Sequence, residues 1–187
     1  MTTPITQALG GLPPAVVDVL RVNLTTLQGE WATANASSAY RLALPPTLDP
    51  RAIIAVGSEQ QLPAQAQSWI TATAALGGST PLASGPLTTH TYTVTLTAYT
   101  RRQVRRAPDP SSAALDADTT VQTSAVLASQ ALATMAAQTL VRFLPTVVGV
   151  YHVQLIGSAA ARGQTSETYA HAATLRVTQR ATTGATL

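Results

Sequence analysis

Within His90–Arg106 (HTYTVTLTAYTRRQVRR), apolar and polar residues alternate with a period of two from Thr91 to Ala98. Tyr92, Val94, Leu96 and Ala98 share one parity, and Thr91, Thr93, Thr95 and Thr97 share the other. Successive strand side chains point to opposite faces, so this stretch predicts a strand in a sheet with one apolar and one hydroxyl-lined face. Its β-branched Thr and Val also suit a pleated backbone. The strand runs into Arg101, Arg102, Arg105 and Arg106 and stops at Pro108-Asp109-Pro110.

The other elements follow from the same patterning. Pro13-Pro14 opens a helix, where a missing amide hydrogen costs nothing. Val16, Leu20, Leu24, Leu27 and Trp31 fall on one helical face, with Asp18, Arg21, Thr25 and Gln28 on the other, and Gly29 is the expected stop. Trp31–Leu44 reads as a poorer second helix ended by Pro45-Pro46. Arg51–Val56 reads as a short buried strand ended by Gly57, and Ser68–Leu76 as another strand. Gly77–Thr88, with its glycines and prolines, is expected to be a loop, and Pro108–Asp118 a connector carrying helix caps.

A long Ala-rich helix is then expected up to about Phe143. Val121, Ala125, Ala128, Leu132, Met135 and Phe143 form its apolar stripe, and Gln130, Thr134, Gln138 and Arg142 the opposite one. Val126, Leu127, Leu140 and Val141 lie off that stripe, as either a second buried edge or a contact with another subunit. Pro145 ends the helix. Val147–Gly157 and Glu167–Gln179 read as the two strands of an antiparallel hairpin.

This order predicts an α+β fold: a mainly antiparallel sheet with an N-terminal helix and a long Ala-rich helix packed on one face. Residues 13–180 form the single expected domain, with long loops at 30–50 and 58–88. Residues 1–12 are the expected flexible arm and 181–187 the expected flexible tail.

Composition narrows the function classes. No cysteine is present, which excludes a disulfide framework and thiolate metal sites. Charged residues make up 10% of the chain, against about 25% in ordinary soluble proteins. All eleven basic side chains are arginine, none lysine. A GC-rich coding bias explains part of this; a surface largely covered by neighbours, where Arg is retained and Lys, Asp and Glu are scarce, explains it equally. The net charge of +3 and few aromatics give no strong nucleic-acid signal. No run of apolar residues is long enough to span a membrane, and the N-terminus MTTPITQALGG carries no secretory pattern.

Catalytic signatures are not found. Gly-x-Ser-x-Gly does not occur, and a phosphate-binding P-loop needs a lysine. His90, His152 and His171 fall on strands without metal-ligand spacing; His152 and His171 facing each other across the hairpin would still lack an acid. Asp49 and Glu59 fall in loops. Asp109, Asp116 and Asp118 cluster near the start of the long helix, where negative charge suits the helix dipole. The chain is therefore expected to be no enzyme, with no catalytic, cofactor-binding or metal residues. The arginine tip reads as a solvated strand extension, a docking element for a neighbour's carboxylates, or a phosphate-contacting tip.

The N-terminal helix (PAVVDVLRVNL), the TYTVTLTAY strand, the Ala-rich helix after a basic connector and the final hairpin (VYHVQLIGS … HAATLRVTQ) together resemble tail terminator proteins of long-tailed bacteriophages. The resemblance covers most of residues 13–180. It implies a virion structural protein that forms a ring, a hexamer, on the tail tube and joins tail to head. The implied partners are copies of itself, the tail-tube protein and a head-completion or connector protein. No membrane or cofactor is implied, and DNA only as it passes through the lumen. Assembly would take place in the host cytoplasm and the product would sit in the virion neck. Arg101, Arg102, Arg105, Arg106, Val126, Leu127, Leu140 and Val141 are the expected interface residues. Another phage neck or tail-tube protein, or a small nucleic-acid-binding module using the Arg101–Arg106 tip, remain open alternatives.

Overall fold

The structure is a computed structural model that describes residues 12–37, 48–57, 63, 66–82, 87–101, 112–147, 149–161 and 168–182. Helix α1 spans Leu12–Ser37. Strands β1 (Ile53–Ala55), β2 (Ser68–Pro81) and β3 (Leu87–Arg101) follow, then helix α2 (Ser112–Phe143) and the strands β4 (Val150–Ala160) and β5 (Thr168–Thr182). The sheet order is β1-β2-β3-β5-β4. β1 is parallel to β2 and every other pair is antiparallel. This is the expected α+β architecture, with β3 at its centre.

The alternation along β3 partitions its side chains as expected. Tyr92, Val94, Leu96 and Ala98 are buried, together with Ile70 and Ala72 of β2 and Ala173, Leu175 and Val177 of β5. Both helices lie on that face: α2 packs against β3, β5 and β4, and α1 against α2, β1 and β2. Val16, Leu20, Leu24 and Leu27 of α1 all enter the core.

Several boundaries differ from the sequence reading. α1 begins at Leu12, whose side chain is buried, so this residue belongs to the domain and not to an arm. α1 also continues through Gly29, because the following turn is tied to α2. Glu30 pairs with Arg142 at 2.7 Å and Trp31 Nε1 donates to Gln138 Oε1 at 3.2 Å. A glycine in a helix interior costs about 1 kcal/mol relative to alanine, and contacts of this kind outweigh it. The part of the expected second helix beyond Ser37 lies outside the described residues, as do residues 1–11 and 183–187.

β2 likewise runs through Gly77-Gly78, where a loop was expected. A bulge between Leu76 and Gly78 absorbs the extra residue, and pairing with β3 resumes from Gly78↔Thr91 to Pro81↔Thr88. Leu82 N–H then donates to Leu87 O at 2.9 Å to close the hairpin. The ladder offered by a long β3 overrides weak local strand preference. α2 starts at Ser112, inside the expected connector.

α2 is buried over a wider arc than one stripe, because it faces the sheet on one side and α1 on another. Ala131, Leu132, Ala133, Met135, Ala136, Ala137, Thr139 and Leu140 are all buried. Small side chains permit that double contact. The buried Thr139 hydroxyl is satisfied within the helix, donating to Met135 O at 2.8 Å.

Candidate functional site

The arginine tip starts where β3 ends. Arg101 is exposed, its backbone N–H donates to Gln67 O at 2.8 Å, and its guanidinium sits over the Trp69 ring at 5.5 Å. Trp69 is the direct cross-strand partner of Tyr99, and their rings stack at 4.9 Å with an interplanar angle of 7°. Arg102, Arg105 and Arg106 lie outside the described residues. The Trp69–Tyr99 pair was missed in the sequence; the only signal was that each sits on the hydroxyl parity of its own strand.

Of the four apolar α2 positions, Val126, Leu127 and Val141 are exposed. Leu140 is fully buried in the core, which corrects its assignment to an interface. Its position off the main stripe reflects the wide buried arc of α2. Leu127 and Val141 are separated by fourteen residues, about 21 Å of helix axis. The half-buried or exposed Gln130, Thr134 and Gln138 lie between them. The outer face of α2 therefore presents separate apolar spots.

The two margins of the sheet are of another kind. β1 pairs only with Ile70–Ala72, so the outer edge of β2 from Thr73 to Pro81 has no strand beside it among the described residues. At the opposite margin β4 pairs, among the described residues, with β5 alone, leaving its outer edge open along Val150–Ala160. Neither segment contains Asp, Glu, Lys or Arg. Each exposes a large apolar side chain beside its bulge: Leu76 at 47% and Ile156 at 52% of full exposure. Monomeric proteins blunt open edges with charges, particularly lysine, or with bulges and proline; these edges carry bulges and Pro81 but no charge.

The sheet face opposite the helices is uncovered by any described helix or strand. Register places Thr71 and Thr73 of β2, Thr91, Thr93, Thr95 and Thr97 of β3, and Thr174 and Thr178 of β5 on it. Arg176, opposite Thr93, and Arg180, opposite Thr89, share that face with Arg101. Arg180 lies 4.7 Å above the Tyr151 ring.

The histidines do not converge. His152 pairs with Thr178 and His171 with Ala160, so the two lie seven positions apart along β5 and do not face each other. Ser79 Oγ lies 2.8 Å from His90 Nδ1, and Ser158 Oγ lies 2.7 Å from His171 Nε2. Burial holds the His171 pKa below its ordinary value. A serine–histidine dyad also needs a group to orient the imidazole, and neither of these two has a carboxylate partner among the described residues. Among those residues no three His, Asp or Glu side chains gather as a metal site, and no helix is long and apolar enough to cross a membrane.

Asp49, expected in a loop, caps the 3-10 turn before β1 by accepting from Arg51 N–H at 2.8 Å. Glu59 and Asp109 lie outside the described residues, as do the side chains of Asp116 and Asp118.

No protein-family model matches the chain, and no curated protein matches it.

Proposed function

We propose that this chain is a non-catalytic structural subunit that joins copies of itself head to tail into a closed ring, as a tail terminator protein of a phage neck. One observation carries the reading: two uncharged strand edges, unpaired among the described residues, stand at opposite margins of one sheet, on Thr73–Pro81 and Val150–Ala160. A contact between two different patches of the same chain generates a ring when its rotation closes. Strand-to-strand pairing supplies main-chain hydrogen bonds along the regular stretches of each edge.

Leu76 on one edge and Ile156 on the other would be buried by the junction. Val126, Leu127 and Val141, exposed on α2, are left for contacts with neighbours, and Arg101 for the next ring or the neighbouring subunit. The resemblance in sequence supplies the rest: a hexamer on the tail tube, with a head-completion or connector protein above it, in the virion.

Native mass spectrometry with negative-stain imaging tests the reading. The unmodified chain is expected to form closed rings, and Ile156→Lys to remain a monomer with an unchanged melting temperature. Reversing Arg101 and Arg102 to Glu is expected to weaken assembly without unfolding the monomer. A chain that stays monomeric at every concentration, or an Ile156→Lys variant that assembles normally, would contradict it.

A further inference from the structure

Among the described residues the uncovered face of the sheet carries charge of one sign. Arg176 and Arg180 of β5 and Arg101 of β3 project from it, and each is exposed. None has a carboxylate partner among the described residues. The carboxylates described in side-chain detail are Asp18 and Glu30 on α1 and Asp49 in the turn before β1, away from this face. From these observations we infer that the uncovered face binds the phosphate backbone of duplex DNA without reading its sequence.

The spacing fits an extended polyanion. Arg176 and Arg180 are four residues apart on one strand, and Arg101 pairs with Thr168 further along it. At about 3.3 Å per residue the row from Arg180 to Arg101 covers roughly 40 Å, a little more than one turn of duplex at about 34 Å. Between the arginines the face is lined by threonines such as Thr93, Thr95 and Thr174. Arginine and threonine are both phosphate-oxygen donors in protein–DNA contacts, and such contacts carry no sequence information.

Two other partners fit less well. A protein partner would need an apolar centre to bury, and the centre of this face is threonine. Single-stranded nucleic acid binds through free aromatic faces on which bases stack. Here Trp69 is already engaged by Tyr99 and Arg101, and Tyr151 by Arg180. The inference uses neither strand edge, and its test rests on Arg176 and Arg180, which the proposed ring contacts do not use, so it stands whether or not the chain forms rings.

The test is a titration of the full chain with a mixed-sequence DNA duplex over a series of salt concentrations, followed by fluorescence anisotropy. Binding is expected to weaken steeply as salt rises. Arg176→Ala combined with Arg180→Ala should lower the slope of log K against log salt by about 2, since each phosphate contact contributes about 0.9. Arg51→Ala, which removes an exposed arginine far from this face, should leave the slope unchanged. Three results would overturn the inference: an unchanged slope in the double variant, an equal fall in the Arg51→Ala control, or binding of single strands or polyglutamate as tightly as duplex.

Discussion

Thr95 and Leu96 are neighbours in one strand, yet they face different environments. Leu96 points into a core closed by α1 and α2, while Thr95 points to a face that no described helix or strand covers. The same division runs along β5, where Leu175 and Val177 are buried and Arg176 between them is exposed. One face holds the fold together and is silent about function. The other, with the two open edges, carries the groups available to partners.

The largest effect should separate those two faces. Leu96→Ala or Leu175→Ala removes a fully buried side chain and should cost about 2–5 kcal/mol. Thr95→Val should stay within about 0.5 kcal/mol. Denaturant unfolding of the variants measures both, and equal losses would break the comparison.

Next is Gly149, which turns the chain from α2 into the edge strand β4. Its φ is +87° and an added Cβ would stand 2.8 Å from Arg180 O. Arg180 N–H donates to Gly149 O at 2.8 Å, so that approach is fixed. Gly149→Ala should destabilise by about 1–3 kcal/mol from backbone strain alone, seen as a lowered unfolding midpoint.

A smaller effect of opposite sign is expected in the covering layer. Gly29 sits within α1 with open space where a Cβ would be. Gly29→Ala should stabilise by about 0.5–1 kcal/mol, again read from denaturant unfolding.

The smallest effect concerns His171, which has the core parity of β5 but is only half-buried. Burial lowers its folded pKa. As pH falls through about 6.5 the unfolded chain takes up this proton first, so stability declines until the folded pKa is passed and then levels. His171→Gln should remove that part of the stability loss as pH falls below about 7, measured by unfolding at each pH.

The fold was legible wherever one neighbour decides a residue's fate. The period of two in β3 needed only a sheet with one covered side, and the apolar face read for α1 (Val16, Leu20, Leu24 and Leu27) enters the core. Reading failed where two neighbours act together. Leu140 is buried because α2 is covered over an arc wider than one stripe, which no single stripe reveals. Gly29 and Gly77-Gly78 read as breaks, yet contacts made far along the chain carry both elements through them. The site was less legible still. Four arginines drew attention to the tip, whereas Arg176 and Arg180 join Arg101 only through the register of β3 with β5, and Trp69 meets Tyr99 only through that of β2 with β3. The open edges of β2 and β4 follow from strand order, which local pattern does not contain.

The most direct test of the central claim, that one edge of each copy pairs with the other edge of the next, is to mix two blocked chains. Leu76→Lys closes the β2 edge and Ile156→Lys the β4 edge, and native mass spectrometry reads each alone and the two together. Each variant alone should be monomeric, and the mixture should give one paired species of one copy of each, with no larger ring. A mixture that stays monomeric, or either variant closing into rings by itself, would contradict head-to-tail edge pairing.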